Sequence, residues 1–136
     1  SVLLARPFPL RVGDESEVTP ATTWVNLFVA FEPEPEAGPV AVEIAYRIQP
    51  ADAASFLDAA ELLRVPRQRA GATFWRIYRD LGDPTRYLER FIVTSWADYL
   101  RQRGRATVAD QALEAEVRAF QAEGVPVAMQ HYIAER

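Results

Sequence analysis

The sequence predicts an α+β domain with an antiparallel sheet and helices on one face of it. Residues 72–80 and 87–95 are rich in β-branched and aromatic side chains, and Gly82, Asp83 and Pro84 between them are typical of a turn. This stretch therefore predicts a β-hairpin. Together with the segments around it, the predicted order after an N-terminal arm is β-α-β-β-α-α-β, which indicates a ferredoxin-like antiparallel sheet.

The arm and the domain differ in composition. Residues 1–39 contain six of the ten prolines and show no helical period, which predicts an extended Pro-rich arm or linker. Apolar residues at 24–31 predict one strand within it, whereas a disordered linker is an equal alternative for residues 1–20. Residues 40–136 are long enough for one domain with a hydrophobic core.

The first strand and the first helix follow directly from residue periodicity. Apolar and polar residues alternate over residues 40–48, as in a strand with one buried face. A helix is predicted from about residue 51, and its buried stripe consists of Phe56, Ala60 and Leu63. Pro66 is expected to kink or end this helix because proline lacks the backbone N–H.

Two N-cap signatures, Ser95 with Asp98 and Thr107 with Asp110, predict two further helices. The first covers residues 96–103. The predicted buried stripe of the second consists of Ala109, Leu113, Val117 and Phe120. A last strand is predicted over residues 125–133, and one of its sides carries Val127, Met129, His131 and Ile133.

The predicted hairpin is apolar on both of its faces. Trp75 and Ile77 fall on one face of its first strand, whereas Phe74 and Tyr78 fall on the other. A sheet with one solvated face should alternate apolar and polar residues, so both faces need a cover. Helices of the chain cover one face, and a second copy in a two-fold dimer is the simplest cover for the other. The dimer interface candidates are Phe74, Trp75, Ile77, Phe91, Ile92 and Val93.

Composition excludes several kinds of chemistry. The chain contains no cysteine, no lysine and one histidine, so disulfides, a cysteine nucleophile, a Schiff-base lysine and a phosphate-binding loop with its lysine are excluded. Neither a metal site nor a cofactor is expected. The net charge of −4 and the pI of about 5.0 do not favour nucleic-acid binding. No apolar run reaches the roughly 20 residues that span a bilayer.

Two groups of residues are candidates for a ligand site. His131 titrates nearest to neutral pH and is a weak candidate for a general base. The ligand-pocket candidates around a small hydrophobic ligand are Trp75, Tyr78, Phe91, Trp96 and His131. The alternative, which we favour, is that the aromatic residues form the core and that His131 is a hydrogen-bonded strand residue at the dimer seam.

Arginines form a separate candidate surface. Arg64, Arg67 and Arg69 lie close together in a chain that is acidic elsewhere, and they are candidates for contact with anionic lipid headgroups. A solvated helix end with basic residues near its C-terminus is the alternative.

A set of dispersed residues resembles a known family. The matching segments are Gly38-Pro39-Val40, Arg67-x-Arg69-x-Gly71-Ala72, Tyr87-x-Glu89-x-Phe91, Ser95-Trp96-Ala97, Leu100-Arg101-Gln102 and Thr107-x-Ala109-Asp110, with Trp75, Arg79 and Asp80. They resemble the soluble C-terminal domain of the transmembrane secretion effector family, enterobactin-exporter-like members of the major facilitator superfamily, mostly from bacteria.

The resemblance implies a dimeric α+β barrel on the cytoplasmic side of the cell membrane. It also implies about twelve membrane helices N-terminal to this chain. The expected function is that of a non-enzymatic domain that mediates dimerisation, assembly or regulation of an exporter, with the transporter domain as its partner. The alternative is a cofactor-independent monooxygenase-like enzyme or a protein that binds a small ligand, because this fold also includes such proteins.

Overall fold

The sheet and its helices are described for residues 29–136 in a computed structural model. The strands are β1 (Val40–Arg47), β2 (Phe74–Arg79), β3 (Arg86–Val93) and β4 (Ala128–Ile133). The helices are α1 (Ala53–Glu61), α2 (Arg64–Arg69), α3 (Trp96–Arg105) and α4 (Val108–Arg118), and a 3₁₀ turn (Pro50–Asp52) precedes α1. All neighbouring strands are antiparallel, in the order β2-β3-β1-β4. The predicted ferredoxin-like α+β fold is confirmed.

Strand register divides the sheet into an inner face and an outer face. Directly paired residues point to the same side of a sheet, and successive residues point to opposite sides. The inner face, which is covered by the helices, is crossed by the rows Trp75-Phe91-Val42-His131 and Ile77-Glu89-Ile44-Met129. The outer face, which no described element covers, is crossed by the rows Phe74-Ile92-Ala41-Tyr132, Arg76-Arg90-Glu43-Gln130 and Tyr78-Leu88-Ala45-Ala128.

The core lies between the inner face and the helices. Phe56 of α1 is completely buried, and its ring contacts the rings of Tyr46, Tyr87 and Phe120 at centroid distances of 5.2, 5.3 and 6.2 Å. Tilted and edge-on contacts of this kind are favourable arrangements of aromatic rings. Burial of the Tyr46 hydroxyl raises its pKa well above the ordinary value. This cluster fixes α1 on the sheet.

Side-chain caps start α3 and α4 where the sequence predicts. Ser95 Oγ accepts a hydrogen bond from the Asp98 N–H at 3.1 Å. Thr107 Oγ1 accepts from the Asp110 N–H, and the Asp110 carboxylate accepts in return from the Thr107 N–H, both at 3.0 Å. Aspartate therefore completes a capping box that more often uses glutamate. Helix α3 continues to Arg105, slightly beyond the predicted end.

Pro66 shapes the helical segment between β1 and β2. The helix breaks after Glu61, and α2 begins at Arg64 with Pro66 as its third residue. In the first turn a missing N–H costs nothing, because no carbonyl is available to pair with it. The break lies at the residues with which the proline ring would clash in a continuous helix. The helix expected to kink or end at Pro66 is thus divided into two helices, α1 and α2.

The described end of the arm runs along the start of α3. Residues 29–39 contain neither helix nor strand, and the predicted strand at residues 24–31 otherwise lies outside the described residues. The backbone oxygen of Ala37 accepts a hydrogen bond from the Trp96 N–H, and that of Pro35 accepts from the Ala97 N–H. A Cβ at Gly38 would lie only 2.4 Å from the Thr94 oxygen, so this approach requires glycine. The domain boundary at residue 39 stays a prediction.

Within residues 29–136, every helix is either too short or too polar to cross a lipid bilayer.

Candidate functional site

A buried ion cluster joins three elements beneath the sheet. Arg67 of α2 donates from Nε and Nη2 to the two carboxylate oxygens of Glu89 on β3, at 2.8 and 3.2 Å, and from Nη1 to Glu114 of α4 at 2.5 Å. Trp75 Nε1 donates to Glu89 at 2.9 Å. Glu89 is completely buried, and Arg67 is 7% exposed. Although burial alone lowers the pKa of a guanidinium, these two carboxylates raise the pKa of Arg67 above its ordinary value.

The sequence contains two signals for this cluster, which is not among the predicted sites. Glu89 alternates with Tyr87 and Phe91 and so lies on the buried face of its strand, where a carboxylate needs a partner. Glu114 precedes Val117 by three residues and lies on the buried side of α4. The predicted stripe placed Ala109 there instead. This was wrong, because Ala109 is exposed.

A cleft of about 220 Å³ opens beside the ion cluster, between α2 and the facing parts of α3 and α4. Its apolar lining consists of Leu63, Pro66, Ala70, Phe91, Tyr99 and Ala106. Its polar lining consists of Arg67, Arg69, Gln102, Arg103, Arg105, Asp110 and Glu114. The guanidinium of Arg67 lies 4.8 Å from the centre of the Phe91 ring, so ion cluster and cleft share a wall.

His131 belongs to a neighbouring aromatic group. Its Nε2 and the Tyr99 hydroxyl share a hydrogen bond of 2.7 Å, and the Tyr99 ring stacks on Trp96 at 5.5 Å. Burial, with a smaller effect of the Arg103 charge, lowers the pKa of His131 to about 4. Burial raises the pKa of Tyr99 to about 12. At neutral pH the two side chains are therefore an uncharged pair.

Of the predicted ligand-pocket residues, Phe91 lines the cleft. Trp75 is buried beside Glu89, Trp96 is buried at the start of α3, and His131 contacts Tyr99 from β4. Tyr78 lies on the outer face of the sheet, where the Arg90 guanidinium lies 5.3 Å from its ring centre. The structure does not bring these five side chains together into one pocket.

The predicted dimer interface residues divide between the two faces. Trp75, Phe91 and Val93 are buried and Ile77 is partly buried, all on the inner face under the helices of the same chain. Phe74 and Ile92 are paired neighbours on the outer face. The expectation of an interface is thus corrected for the four inner residues, because their own chain already covers them.

The three arginines proposed to face a membrane also divide. Arg67 is buried in the ion cluster and cannot reach a lipid headgroup, which corrects that expectation. Arg64 pairs with Glu61 at 2.9 Å, and Arg69 pairs with Asp110 at 2.7 Å. Hydrogen bonds from the Thr107 backbone and from Arg69 lower the pKa of Asp110 despite its partial burial. Both exposed arginines already have carboxylate partners.

Among residues 29–136, no three side chains of His, Asp or Glu are grouped so that they could hold a metal ion.

The fold is shared with several solved structures of low sequence identity. A protein from Caulobacter crescentus named as an antibiotic biosynthesis monooxygenase has a TM-score of 0.62 and 18% identity, over 75% of this chain and 94% of that one. SnoaB from Streptomyces nogalater, a cofactor-independent oxygenase, has a TM-score of 0.61 and 14% identity, over 74% and 96%. A dimeric ferredoxin-like protein from an uncultured marine organism has a TM-score of 0.56 and 12% identity, over 76% and 93%.

These similarities define the class of protein as a ferredoxin-like α+β domain of the antibiotic biosynthesis monooxygenase type of fold. At such identities they establish the fold and not the activity. The family is established separately, because the model of the transmembrane secretion effector family matches residues 1–136. The chain belongs to that family. No protein of curated function matches it.

Replacement of Arg67 tests the ion cluster. Arg67→Met leaves Glu89 and Glu114 buried without their cation, and we expect the free energy of unfolding to fall by about 3–5 kcal/mol. The matched control, Arg101→Met, removes an exposed ion pair with Asp98 on α3 and should cost less than about 1 kcal/mol. Urea denaturation measures both. A similar loss for the two variants would contradict the structural role of Arg67.

Titration of His131 should be visible in the stability of the domain. Between its ordinary pKa of 6.5 and the lowered value of about 4, the unfolded chain binds a proton that the folded chain does not. Stability is thus complete above about pH 6.5 and falls as the pH drops toward about 4. His131→Gln keeps a hydrogen-bonding group that does not titrate. Its melting temperature should fall less than that of the wild type over this range, and an equal fall would contradict the assignment.

Proposed function

We propose that this chain is the cytoplasmic C-terminal domain of a major-facilitator-type exporter and that it forms a homodimer that assembles or regulates the transporter. The family match supports a role connected with membrane transport. The single observation that carries the dimer is the outer face of the sheet, which no described part of the chain covers. Two apolar rows on this outer face carry Phe74, Ile92 and Leu88, which are partly buried.

The outer face alternates between apolar and polar rows. The first row contains Phe74, Ile92, Ala41 and Tyr132, and the third contains Tyr78, Leu88, Ala45 and Ala128. The row between them contains Arg76, Arg90, Glu43 and Gln130. A two-fold axis that lies in the plane of the interface and runs parallel to the strands packs each row against the same row of the second copy. Apolar rows then meet apolar rows, and the polar row meets itself. Such self-complementarity is what an interface between identical copies requires.

The two halves of the face also differ in a complementary way. In these three rows, strands β2 and β3 contribute Arg76, Arg90 and most of the large apolar side chains, whereas β1 and β4 contribute three alanines, Glu43, Gln130 and Tyr132. An axis between β1 and β3 that runs parallel to the strands places Ile92 over Ala41 and Arg90 over Glu43 of the second copy. Leu88 and Tyr78 likewise meet alanines and Arg76 meets Gln130, so most large side chains meet small ones and cations meet acceptors, whereas Phe74 meets the ring of Tyr132. This pattern favours a second copy over a partner of unrelated sequence.

A second candidate function is small-ligand binding, and the cleft is the observation that favours it. A monooxygenase-like activity draws support from the fold of its neighbours alone. His131, the candidate base, is held neutral in its pair with Tyr99 and does not line the cleft. Of these two possibilities, we therefore favour binding of a small ligand over a monooxygenase-like activity.

Charge reversal across the proposed interface tests the dimer. Within one chain Arg90 pairs with Glu43 at 2.7 Å, so single reversals disturb both the chain and the interface. Arg90→Glu and Glu43→Arg should each be monomeric, because like charges then meet across the two-fold axis. An equimolar mixture of the two variants should form a heterodimer, because opposite charges meet again only between different chains. Sedimentation velocity at micromolar concentration measures all three samples.

A matched pair of leucine and isoleucine variants controls for surface charge. Ile92→Glu, on the outer face, should give a monomer, whereas Leu81→Glu, in the exposed β2–β3 turn, should remain dimeric. Circular dichroism checks that each variant is folded. A wild-type chain that sediments as a monomer, or an Ile92→Glu variant that stays dimeric, would overturn the proposed interface.

The exporter assignment makes a prediction about the gene. The reading frame that encodes this chain should encode about twelve apolar membrane-spanning segments upstream of Ser1, as expected for the two six-helix halves of a major-facilitator transporter. Sequencing of the genomic locus provides the measurement. An initiator codon directly before Ser1, with no such segments, would refute this part of the proposal and leave the dimer unaffected.

A further inference from the structure

We propose that the cleft between α2, α3 and α4 binds a small apolar carboxylate, that is, a molecule with a compact hydrophobic body and one carboxylate group. This inference rests on the second candidate function and specifies its ligand. It does not depend on the dimer, because the cleft lies on the helix-covered side of the sheet and the proposed interface lies on the opposite side.

The first argument is an unused hydrogen-bond donor. Gln102 lines the cleft and is 8% exposed, yet its Nε2 has no hydrogen-bond partner within residues 29–136. A buried amide without a partner costs roughly 1–3 kcal/mol, so such groups are uncommon in folded proteins. Because Nε2 is itself almost inaccessible, a small rotation of the Gln102 side chain toward the cleft is needed before a ligand oxygen can accept its hydrogen bond and remove this cost. The site therefore favours a ligand with an acceptor at this position.

The second argument is the sign of the charge around that donor. Four arginines line the cleft against two carboxylates, in a chain whose net charge is −4. Both carboxylates are already bound, Glu114 by Arg67 and Asp110 by Arg69. Arg105 is exposed at the cleft and forms no ion pair with any described residue. The local field thus favours an anion.

Helix geometry brings the donor and the unpaired cation together. Gln102 and Arg105 lie three residues apart near the end of α3, so they occupy neighbouring positions on one side of the helix. The charge of Arg103 on the same turn also reaches the cleft wall, since it lowers the pKa of Tyr99 against the effect of burial. One carboxylate can accept from the Gln102 amide and be stabilised by these guanidinium groups.

The third argument is the nature and size of the remaining wall. Leu63, Pro66, Phe91 and the Tyr99 ring form an apolar surface, since the Tyr99 hydroxyl is hydrogen-bonded to His131. The volume of about 220 Å³ is smaller than that of a typical drug-sized pocket. A body of one or two rings, or an aliphatic body of similar size, fits such a wall. A large or highly charged ligand such as a nucleotide does not.

Calorimetric titration with 2-naphthoate, and with 2-naphthamide as its uncharged analogue, tests the inference. We expect 2-naphthoate to bind with a dissociation constant below about 1 mM and at least about tenfold more tightly than the amide. Gln102→Leu should weaken binding of 2-naphthoate about tenfold, because the leucine keeps the volume and removes the donor. Arg105→Gln should weaken the carboxylate several-fold and leave the amide unchanged.

Two matched variants outside the cleft provide the controls. Gln68→Leu makes the same chemical change at an exposed position of α2, and Arg101→Gln removes an exposed arginine of α3 that pairs with Asp98. Both should bind 2-naphthoate like the wild type. Equal affinity for the two naphthalene ligands, or unchanged affinity in both Gln102→Leu and Arg105→Gln, overturns the inference.

Sedimentation of the same samples separates the two proposals. A dimer that fails to bind 2-naphthoate refutes the ligand assignment alone, whereas a monomer that binds it refutes the dimer alone. Thermal melting of Gln102→Leu shows whether this variant is folded. Because Arg105 is exposed, we expect Arg105→Gln to fold like the wild type.

Discussion

The desolvated charge of Glu89 is the constraint on which the interior of this domain depends. A carboxylate in the middle of a sheet, completely buried, is tolerated only with a cation and hydrogen-bond donors in fixed positions. Arg67 and Trp75 supply them, and Glu114 accepts the hydrogen bond from the remaining Nη1 group of the guanidinium. This requirement holds α2 and α4 against β3. Arg67 and Glu114 also line the cleft, so the pairing of these buried charges fixes one wall of the cleft.

The register of four strands separates two surfaces with different tasks. Because side chains alternate along a strand, each residue is assigned either to the helix-covered side or to the bare side. The ion cluster and the cleft lie on the first side, and the proposed interface between copies lies on the second. A dimer formed through the bare side leaves the cleft accessible. Assembly and ligand binding can therefore coexist in one domain without competing for residues.

Prediction from sequence succeeded where the signal is local. The caps at Ser95 and Thr107 are such cases, since each depends on hydrogen bonds within one turn. Prediction was less successful for the sites. The proposed pocket grouped Trp75, Tyr78 and His131, which the fold separates, because aromatic character does not reveal which side chains meet across the core. The residues of the cleft come from α2, β3, α3 and α4, and no spacing along the chain connects them.

The sequence by itself determined the order of the elements and the two apolar faces of the hairpin, because periodicity, caps and turn residues act over a few positions. The resemblance to an exporter family was also visible in the sequence, from residues dispersed along the chain. Only the tertiary structure decided that Phe74 and Ile92 face outward while Trp75 and Phe91 are covered, and that Arg67 is buried rather than at a surface. It alone joined Glu89 to Glu114, which are far apart in the chain. These results depend on the pairing of charges and strands that are distant in the chain, and such pairing has no local signature.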